Sequence, residues 1–103
     1  MEFVETFVFT KASRSLLTDS ELRQLQMTLL LHPDMGQVIP GSGGLRKIRW
    51  ISGGKGKRGG LRVIYYWVTA DHKIYLLYAY SKSKQEDLTP DQIKVFKRLI
   101  EED

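Results

Sequence analysis

The run of residues Leu61–Val68 constrains the fold of this 103-residue chain more than any other feature. It is apolar or aromatic at every position except Arg62, as expected for a central, buried strand of a β-sheet. The strand comes directly after residues 53–60, which consist only of glycine, lysine and arginine. The sequence therefore predicts a sheet with a cationic glycine loop leading into its middle strand.

Further strands and helices are predicted on either side of this strand. Residues 3–9, 45–51 and 74–80 combine β-branched and aromatic side chains as strands do. A short helical turn is expected through Leu16, and a longer helix from the capping box of Thr18 and Glu21 to the stop at Pro33. Thr89 opens the last helix, and Asp87 is interpreted as part of the approach to it. The pattern predicts an α+β fold in the order β-α-α-β-β-β-α, with residues 1–103 as one domain.

Basic residues are concentrated in a part of the chain that has no acidic residue. No Asp or Glu lies between Asp34 and Asp71, whereas seven of the sixteen basic residues do. Eight of the nine glycines lie between Gly41 and Gly60, so the backbone there can approach a polyanion closely. Together with a formal net charge of +4, this clustering predicts a nucleic-acid site.

The expected strand pairing brings several of these cations together. If the turn at Asp71 joins the last two strands, the numbers of facing residues sum to about 142, which places Arg62 near Tyr80. The strands on either side of the glycine loop pair with sums near 112, which brings Arg49 close to Arg62. A cluster of this kind suits single-stranded RNA, because phosphates meet the cations and an unstacked base can lie on the aromatic ring. The residues predicted to converge are Lys47, Arg49, Arg62, Tyr80, Lys82 and Lys84.

Composition argues against several other classes of protein. The chain has no cysteine, so a disulfide framework and thiolate chemistry are excluded. With only two histidines, a metal site is improbable, and no cofactor is expected. The first ten residues carry Glu2 and Glu5 and no small-residue cleavage site, and no apolar run approaches membrane-spanning length. We therefore expect a cytoplasmic protein without a membrane partner.

The order and spacing of four segments resemble the RelE/ParE toxin superfamily, and within it the HigB-type toxins of bacterial type II toxin–antitoxin systems. The segments are residues 44–49, 54–60, 62–66 and 80–89, so the resemblance covers nearly the whole chain. It implies a small antiparallel sheet of about four strands with helices packed on one side. It also implies a metal-independent, ribosome-dependent mRNA endonuclease that inhibits translation, and a cognate antitoxin with a helix-turn-helix domain through which alone operator DNA is bound.

The resemblance also assigns roles to individual residues. It implies that the catalytic residues are Lys47, Arg49, Arg62, Lys82 and Lys84. Where RelE carries a tyrosine in its C-terminal segment, this chain has Leu88, so Tyr80 is the candidate for ring stacking on RNA. From the clustering of cations in the sequence, and not from the resemblance, further residues are assigned to RNA or ribosome binding: Arg46, Lys55, Lys57 and Arg58.

The chemistry of RNA cleavage is consistent with these residue types. Attack by the RNA's own 2′-hydroxyl needs positioning, proton transfer and stabilisation of charge on the phosphoryl oxygens. Arginine serves the last need, since its planar fork stays charged and grips two oxygens, while Lys82 and Lys84 are alternative proton carriers. Two rival functions stay open at this point: a ParE-like inhibitor of DNA gyrase, and a non-catalytic nucleic-acid-binding regulatory module.

Overall fold

A computed structural model describes residues 1–50 and 60–101 of the chain. The predicted α+β class is confirmed, with three helices and five strands in the described part. The order of elements agrees with the sequence prediction except for one additional short strand. The elements are β1 (Glu2–Glu5), α1 (Phe7–Ser13), α2 (Asp19–Leu31), β2 (Gln37–Val38), β3 (Arg46–Trp50), β4 (Leu61–Val68), β5 (Lys73–Ser81) and α3 (Pro90–Glu101).

The described strands form one mixed sheet in the order β1-β5-β4-β3-β2. The predicted antiparallel pairing holds for β2 to β5, but β1 lies parallel to β5, with Phe3 opposite Ile74. The additional strand β2 pairs through only two residues with Arg46 and Lys47. Two residues are too few to give a periodic sequence signal, so the sequence predicts no strand at this position.

Helices cover both faces of the sheet, whereas the family resemblance implied helices on one side only. Helices α1 and α2 place Phe9, Leu25 and Leu29 against one face, where they share a core with Val63 and Tyr65 of β4. Helix α3 places Phe96 against the opposite face, in a second core with Ile64, Leu77 and Leu88. Strand β4 is apolar on both faces, so each face needs a cover to remove its side chains from water.

The first strand is shorter than predicted, because residues 7–9 begin a helix. Thr6 is the N-cap of α1, and its hydroxyl accepts a hydrogen bond from the backbone N–H of Phe9 at 3.0 Å. The same hydroxyl lies 3.2 Å from the carbonyl oxygen of Leu76, which ties the end of β1 to β5. The local cap therefore prevails over the β propensity of Phe7, Val8 and Phe9.

The two longer helices begin where the sequence predicts. Thr18 and Glu21 form both hydrogen bonds of the capping box at the start of α2. At the start of α3, Thr89 and Gln92 make the equivalent reciprocal pair at 3.0 and 3.1 Å. None of the helices in the described ranges combines the length and the apolar character that crossing a membrane requires.

Candidate functional site

The register of the three central strands places two arginines and a tyrosine in one row across the sheet. Arg62 of β4 lies directly opposite Arg49 of β3 on one side and Tyr80 of β5 on the other. The pairing of Arg62 with Tyr80, predicted from the turn at Asp71, is confirmed. The pairing across the glycine loop is shifted by one residue from the register predicted for it. Since like charges directly opposite each other destabilise a sheet, the Arg49–Arg62 pair costs stability that an anionic ligand would recover.

Lys47 lies on the same face of β3 as Arg49, because alternate residues of a strand point to the same side. Both side chains, together with Arg62, line an open cleft of about 440 Å³. We call this hollow the cationic cleft. Its lining residues are Met35, Gln37, Lys47, Ile48, Arg49 and Arg62.

Asp87 introduces a carboxylate at the border of this cluster. Its Oδ1 lies 2.8 Å from Nζ of Lys47, in an ion pair whose lysine is the more buried partner. The hydrogen bond and the charge of Lys47 lower the pKa of Asp87, with further contributions from the charges of Arg62 and Lys82. Asp87 therefore stays ionised, and any phosphate that binds Lys47 must compete with it.

The two lysines after β5 differ in their relation to the cluster. Lys82 is exposed and close enough to Asp87 for its charge to act on that carboxylate. Lys84 is also exposed, in the turn where its backbone N–H donates to the carbonyl oxygen of Ser81 at 3.0 Å. The structure thus brings Lys82 to the site, whereas no described contact draws the side chain of Lys84 into it.

Tyr80 has the predicted position in the row but not the predicted exposure. Its side chain is 4% exposed and stacks on Tyr78 with ring centroids 5.7 Å apart. Burial and the charge of Asp87 raise the pKa of Tyr80 to about 12, against the opposing effect of Arg62. A ring covered in this way offers no surface to a base, so the expected stacking role for Tyr80 does not fit the structure.

Arg46 does not join the cationic cleft, although it was predicted to bind RNA with the others. It lies on the opposite face of β3, where its guanidinium sits 5.9 Å from the centroid of the Trp67 ring. Its Nη1 donates hydrogen bonds to the carbonyl oxygens of Gly36 at 2.7 Å and Asp34 at 3.2 Å. These contacts give Arg46 a structural role: it holds the segment that precedes β2.

Tyr65 also holds the segment that precedes β2. The Tyr65 hydroxyl accepts a hydrogen bond from the backbone N–H of Gly36 and donates one to the carbonyl oxygen of Pro33, both at 2.8 Å. A Cβ atom at Gly36 would lie 2.8 Å from the Tyr65 ring, so only glycine fits this close approach. Arg46 and Tyr65 thereby position Met35 and Gln37, which form one wall of the cationic cleft.

A second hollow adjoins the cationic cleft and shares Gln37 and Lys47 with it. It measures about 290 Å³ and is bordered by Asp87. Its remaining lining is apolar, and we call it the apolar cleft. The apolar lining residues are Val38, Ile39, Pro40, Leu88 and Ile93.

Three predicted binding residues cannot be placed. Lys55, Lys57 and Arg58 lie outside the described residues, so their assignment to RNA or ribosome binding stays a sequence prediction. Within the described ranges, no three His, Asp or Glu side chains gather as they would around a metal ion.

Sequence reasoning missed the contributions of Gln37, Met35 and Asp87. Gln37 belongs to an edge strand that is too short to be recognised from its pattern, and Met35 lies just before that strand. Asp87 is forty positions from Lys47, and no local signal links residues at that separation. The acid-free interval around the glycine loop indicates where cations gather. It does not indicate which distant acidic residue forms an ion pair with one of them.

Comparisons with known proteins agree with this architecture. A family model described as the RelE toxin of the RelE/RelB toxin–antitoxin system matches residues 3–102. The intact E. coli RelBE toxin–antitoxin complex contains a chain that is similar in fold, with a TM-score of 0.58 and 15% identity over 76% of this chain and 92% of that one. A double arginine-to-alanine mutant of the E. coli toxin RelE in the free state gives a TM-score of 0.59 and 15% identity over 82% and 86%.

Proposed function

This chain belongs to the RelE toxin family, and from that premise we propose that it is a HigB-type toxin that cleaves mRNA on the ribosome. Its domain comprises residues 1–103, and its place of action is the cytoplasm. The consequence of its activity is the arrest of translation. Membership of the family supports the toxin function. The proposal of mRNA cleavage rests on the residues of the cationic cleft.

One observation carries the proposal: Arg49 and Arg62 face each other across β3 and β4, in a cleft that also contains Lys47. Arginine pairs of this kind bind the non-bridging oxygens of a phosphate, because each guanidinium presents a planar fork of donors. Opposed like charges in an open cleft cost stability unless a ligand supplies negative charge, and RNA supplies one at every phosphodiester. A phosphodiester is the ligand that fits this arrangement.

In the proposed reaction, the 2′-oxygen of one nucleotide attacks the adjacent phosphorus, and the bond from phosphorus to the 5′-oxygen breaks. The products are a 2′,3′-cyclic phosphate and a free 5′-hydroxyl, so no water is consumed in this step. Arg49 and Arg62 stabilise the additional negative charge on the phosphoryl oxygens. Lys47, on the same face as Arg49, adds a third cation beside the phosphate. Lys82 or Lys84 relays the proton: it gives one to the leaving 5′-oxygen and takes up the one that the attacking 2′-hydroxyl loses.

We propose a cognate antitoxin as the second macromolecular partner. The fold is similar to that of a chain in the RelBE toxin–antitoxin complex, which supports a protein partner for this toxin as well. The antitoxin is expected to carry a helix-turn-helix domain, and operator DNA is expected to be bound only through it. A small gene of that kind next to the toxin gene would be the first observation to seek.

Inducing the protein without its partner tests the proposal directly. Growth and translation should stop, and primer extension should find cuts within coding sequence only in transcripts that are being translated. An untranslatable version of the same transcript is the matched control, and equal cutting of both would disprove dependence on the ribosome. Growth arrest with intact mRNA and accumulated gyrase–DNA breaks would instead support the ParE-like alternative.

A further inference from the structure

Among the described residues that line the cationic cleft, Gln37 is the one that is polar but uncharged. It lies opposite Lys47 in the antiparallel pairing of β2 with β3, so the two side chains point to the same face of the sheet. Its side chain is exposed, and its amide group has two N–H donors. Gln37 therefore presents a neutral hydrogen-bond donor beside the cations of the cleft.

We propose that Gln37 binds the RNA backbone beside Lys47, and that Tyr65 is the positioning residue that holds Gln37 in place. This inference rests on the proposed RNA-cleaving function and adds a neutral contact to the cations of that site. A side-chain amide donates to a phosphate oxygen or to the 2′-oxygen of a ribose, and every nucleotide of an RNA strand offers both. Gln37 therefore contributes to affinity and not to the choice of sequence.

The position of Gln37 is fixed through the residues before it, from the other face of the sheet. The Tyr65 hydroxyl accepts a hydrogen bond from the N–H of Gly36 and donates one to the carbonyl oxygen of Pro33, so it ties both ends of residues 33–36 to β4. Tyr65 is fully buried, and so is its hydrogen bond with Gly36. Without the hydroxyl, this N–H would find a partner only if the segment moved away from the sheet.

Gly36 shows how closely the segment approaches the sheet. A Cβ atom at this position would lie 2.9 Å from the Tyr65 hydroxyl oxygen and 3.0 Å from the carbonyl oxygen of Lys47. The second of these atoms belongs to the backbone of β3, the strand that carries two cations of the cleft. Because Gln37 follows Gly36 directly, any shift that relieved such a contact would move Gln37 relative to Lys47.

Arg46 is a second anchor for the same segment, through its hydrogen bonds to the carbonyl oxygens of Asp34 and Gly36. These bonds use acceptors of the segment other than the Pro33 carbonyl, so they persist when the Tyr65 hydroxyl is removed. Loss of the hydroxyl should therefore loosen the segment without releasing it. The expected effect on RNA binding is moderate and confined to the contact that Gln37 makes.

A double-mutant cycle on RNA binding tests the inference. The probe is a trinucleotide of RNA made resistant to cleavage by 2′-O-methyl groups, and its binding to the full-length protein is followed by NMR titration. Gln37→Ala and Tyr65→Phe should each weaken binding about threefold, the effect expected from one hydrogen bond. The double variant should bind as Gln37→Ala does, because Tyr65 acts through Gln37. On programmed ribosomes, Tyr65→Phe should raise KM about threefold and leave kcat unchanged.

Three further variants provide the controls. Thr18→Ala removes the capping box of α2, at a distance from the cleft, and should reduce stability but leave RNA affinity unchanged. Gln24→Ala makes the same change as Gln37→Ala at an exposed position of α2, and it should also bind as wild type does. Gly36→Ala keeps the Tyr65 hydroxyl but displaces the segment, so it should weaken binding at least as much as Tyr65→Phe.

The outcomes separate this inference from the proposed function. If Gln37→Ala binds the trinucleotide as tightly as wild type, Gln37 is no RNA contact and the inference is disproved, even where mRNA is cut on ribosomes. If the two effects multiply in the double variant, or if Thr18→Ala weakens binding equally, Tyr65 does not act through Gln37 and the inference is wrong. If the cycle behaves as expected but ribosome-bound mRNA stays intact, the inference stands and the endonuclease function fails.

Discussion

Arg46 and Arg49 are three positions apart on the same strand, yet the two faces of the sheet give them opposite tasks. Arg46 donates to two backbone carbonyl oxygens and lies over Trp67, so its charge is used within the fold. Arg49 is exposed, faces Arg62 on the next strand and lines an open cleft. The comparison teaches that alternation along a strand, and not residue type, separates a cation used within the fold from one left accessible in an open cleft.

The largest expected effect is on activity, from removing a cation of the cleft. Arg62→Ala should lower the maximum rate of mRNA cleavage by about 10² to 10³, the usual cost of losing one donor to a charged transition state. The midpoint of thermal unfolding should stay nearly unchanged, because the relief of repulsion with Arg49 offsets the lost attraction to Asp87. Single-turnover cleavage on programmed ribosomes and calorimetry would measure the two quantities.

Arg23→Ala provides the control for that experiment. Arg23 is exposed on α2, which covers the opposite face of the sheet, and its loss should change neither quantity. Unfolding of Arg62→Ala at ambient temperature would show that Arg62 is a structural residue, and the division between the two faces would then fail at this position.

The next effect is on stability, from removing the structural cation. Arg46→Ala should lower the free energy of unfolding by about 2 kcal/mol, since two charge-assisted hydrogen bonds and a contact with Trp67 disappear. Urea denaturation would measure this loss, and Arg49→Ala should show almost none. If Arg46→Ala were as stable as wild type but inactive at saturation, Arg46 would belong to the RNA-binding site after all.

Much of the scaffold could be predicted from the sequence because its signals are local. Strand β4 has the predicted bounds, and the turn at Asp71 fixes the pairing of Arg62 with Tyr80. The caps at Thr18 and Thr89 define helix starts through hydrogen bonds that span only three residues.

The remaining features depend on contacts between distant parts of the chain. The apolar run of β4 indicated burial on both faces, but only tertiary packing shows that α3 covers one face and α1 and α2 the other. The sequence predicts that Arg46 binds RNA, since the pattern does not show that its charge is used within the fold. Its partners, the carbonyl oxygens of Asp34 and Gly36, leave no trace in the residue pattern.

A smaller effect concerns Tyr80, whose hydroxyl is buried with no hydrogen-bond partner among the described residues. Its pKa is about 12 in the folded protein against an ordinary value of 10.0, so the unfolded chain loses this proton first as the pH rises. Stability from this group is therefore complete below pH 10 and is lost between about pH 10 and pH 12, with a decrease of about 1.4 kcal/mol at pH 11.

Tyr80→Phe should remove that part of the pH dependence. Chemical denaturation at pH 8 and pH 11 would compare the variant with wild type, and the part due to Tyr65, whose pKa is also raised, should persist in both. At neutral pH the variant should be at least as stable as wild type and should cleave RNA within severalfold of the wild-type rate. A much larger loss of cleavage would place the Tyr80 hydroxyl in the chemistry.

The smallest expected effect comes from Asp87, the carboxylate that joins the two clefts through Lys47. Its pair with Lys47 is partly exposed, so it contributes little to stability, but it occupies a cation that a phosphate could use. Asp87→Asn should therefore raise the affinity for a non-cleavable RNA about two- to threefold and steepen its salt dependence by about one phosphate contact. Glu86→Gln changes the net charge equally at the adjacent exposed position. It should raise the affinity for the RNA by less, through long-range electrostatics alone. A fall in cleavage of 10² or more in Asp87→Asn, with Glu86→Gln unaffected, would mean that the carboxylate takes part in proton transfer. Asp87 would then be a catalytic residue and not a competitor for Lys47.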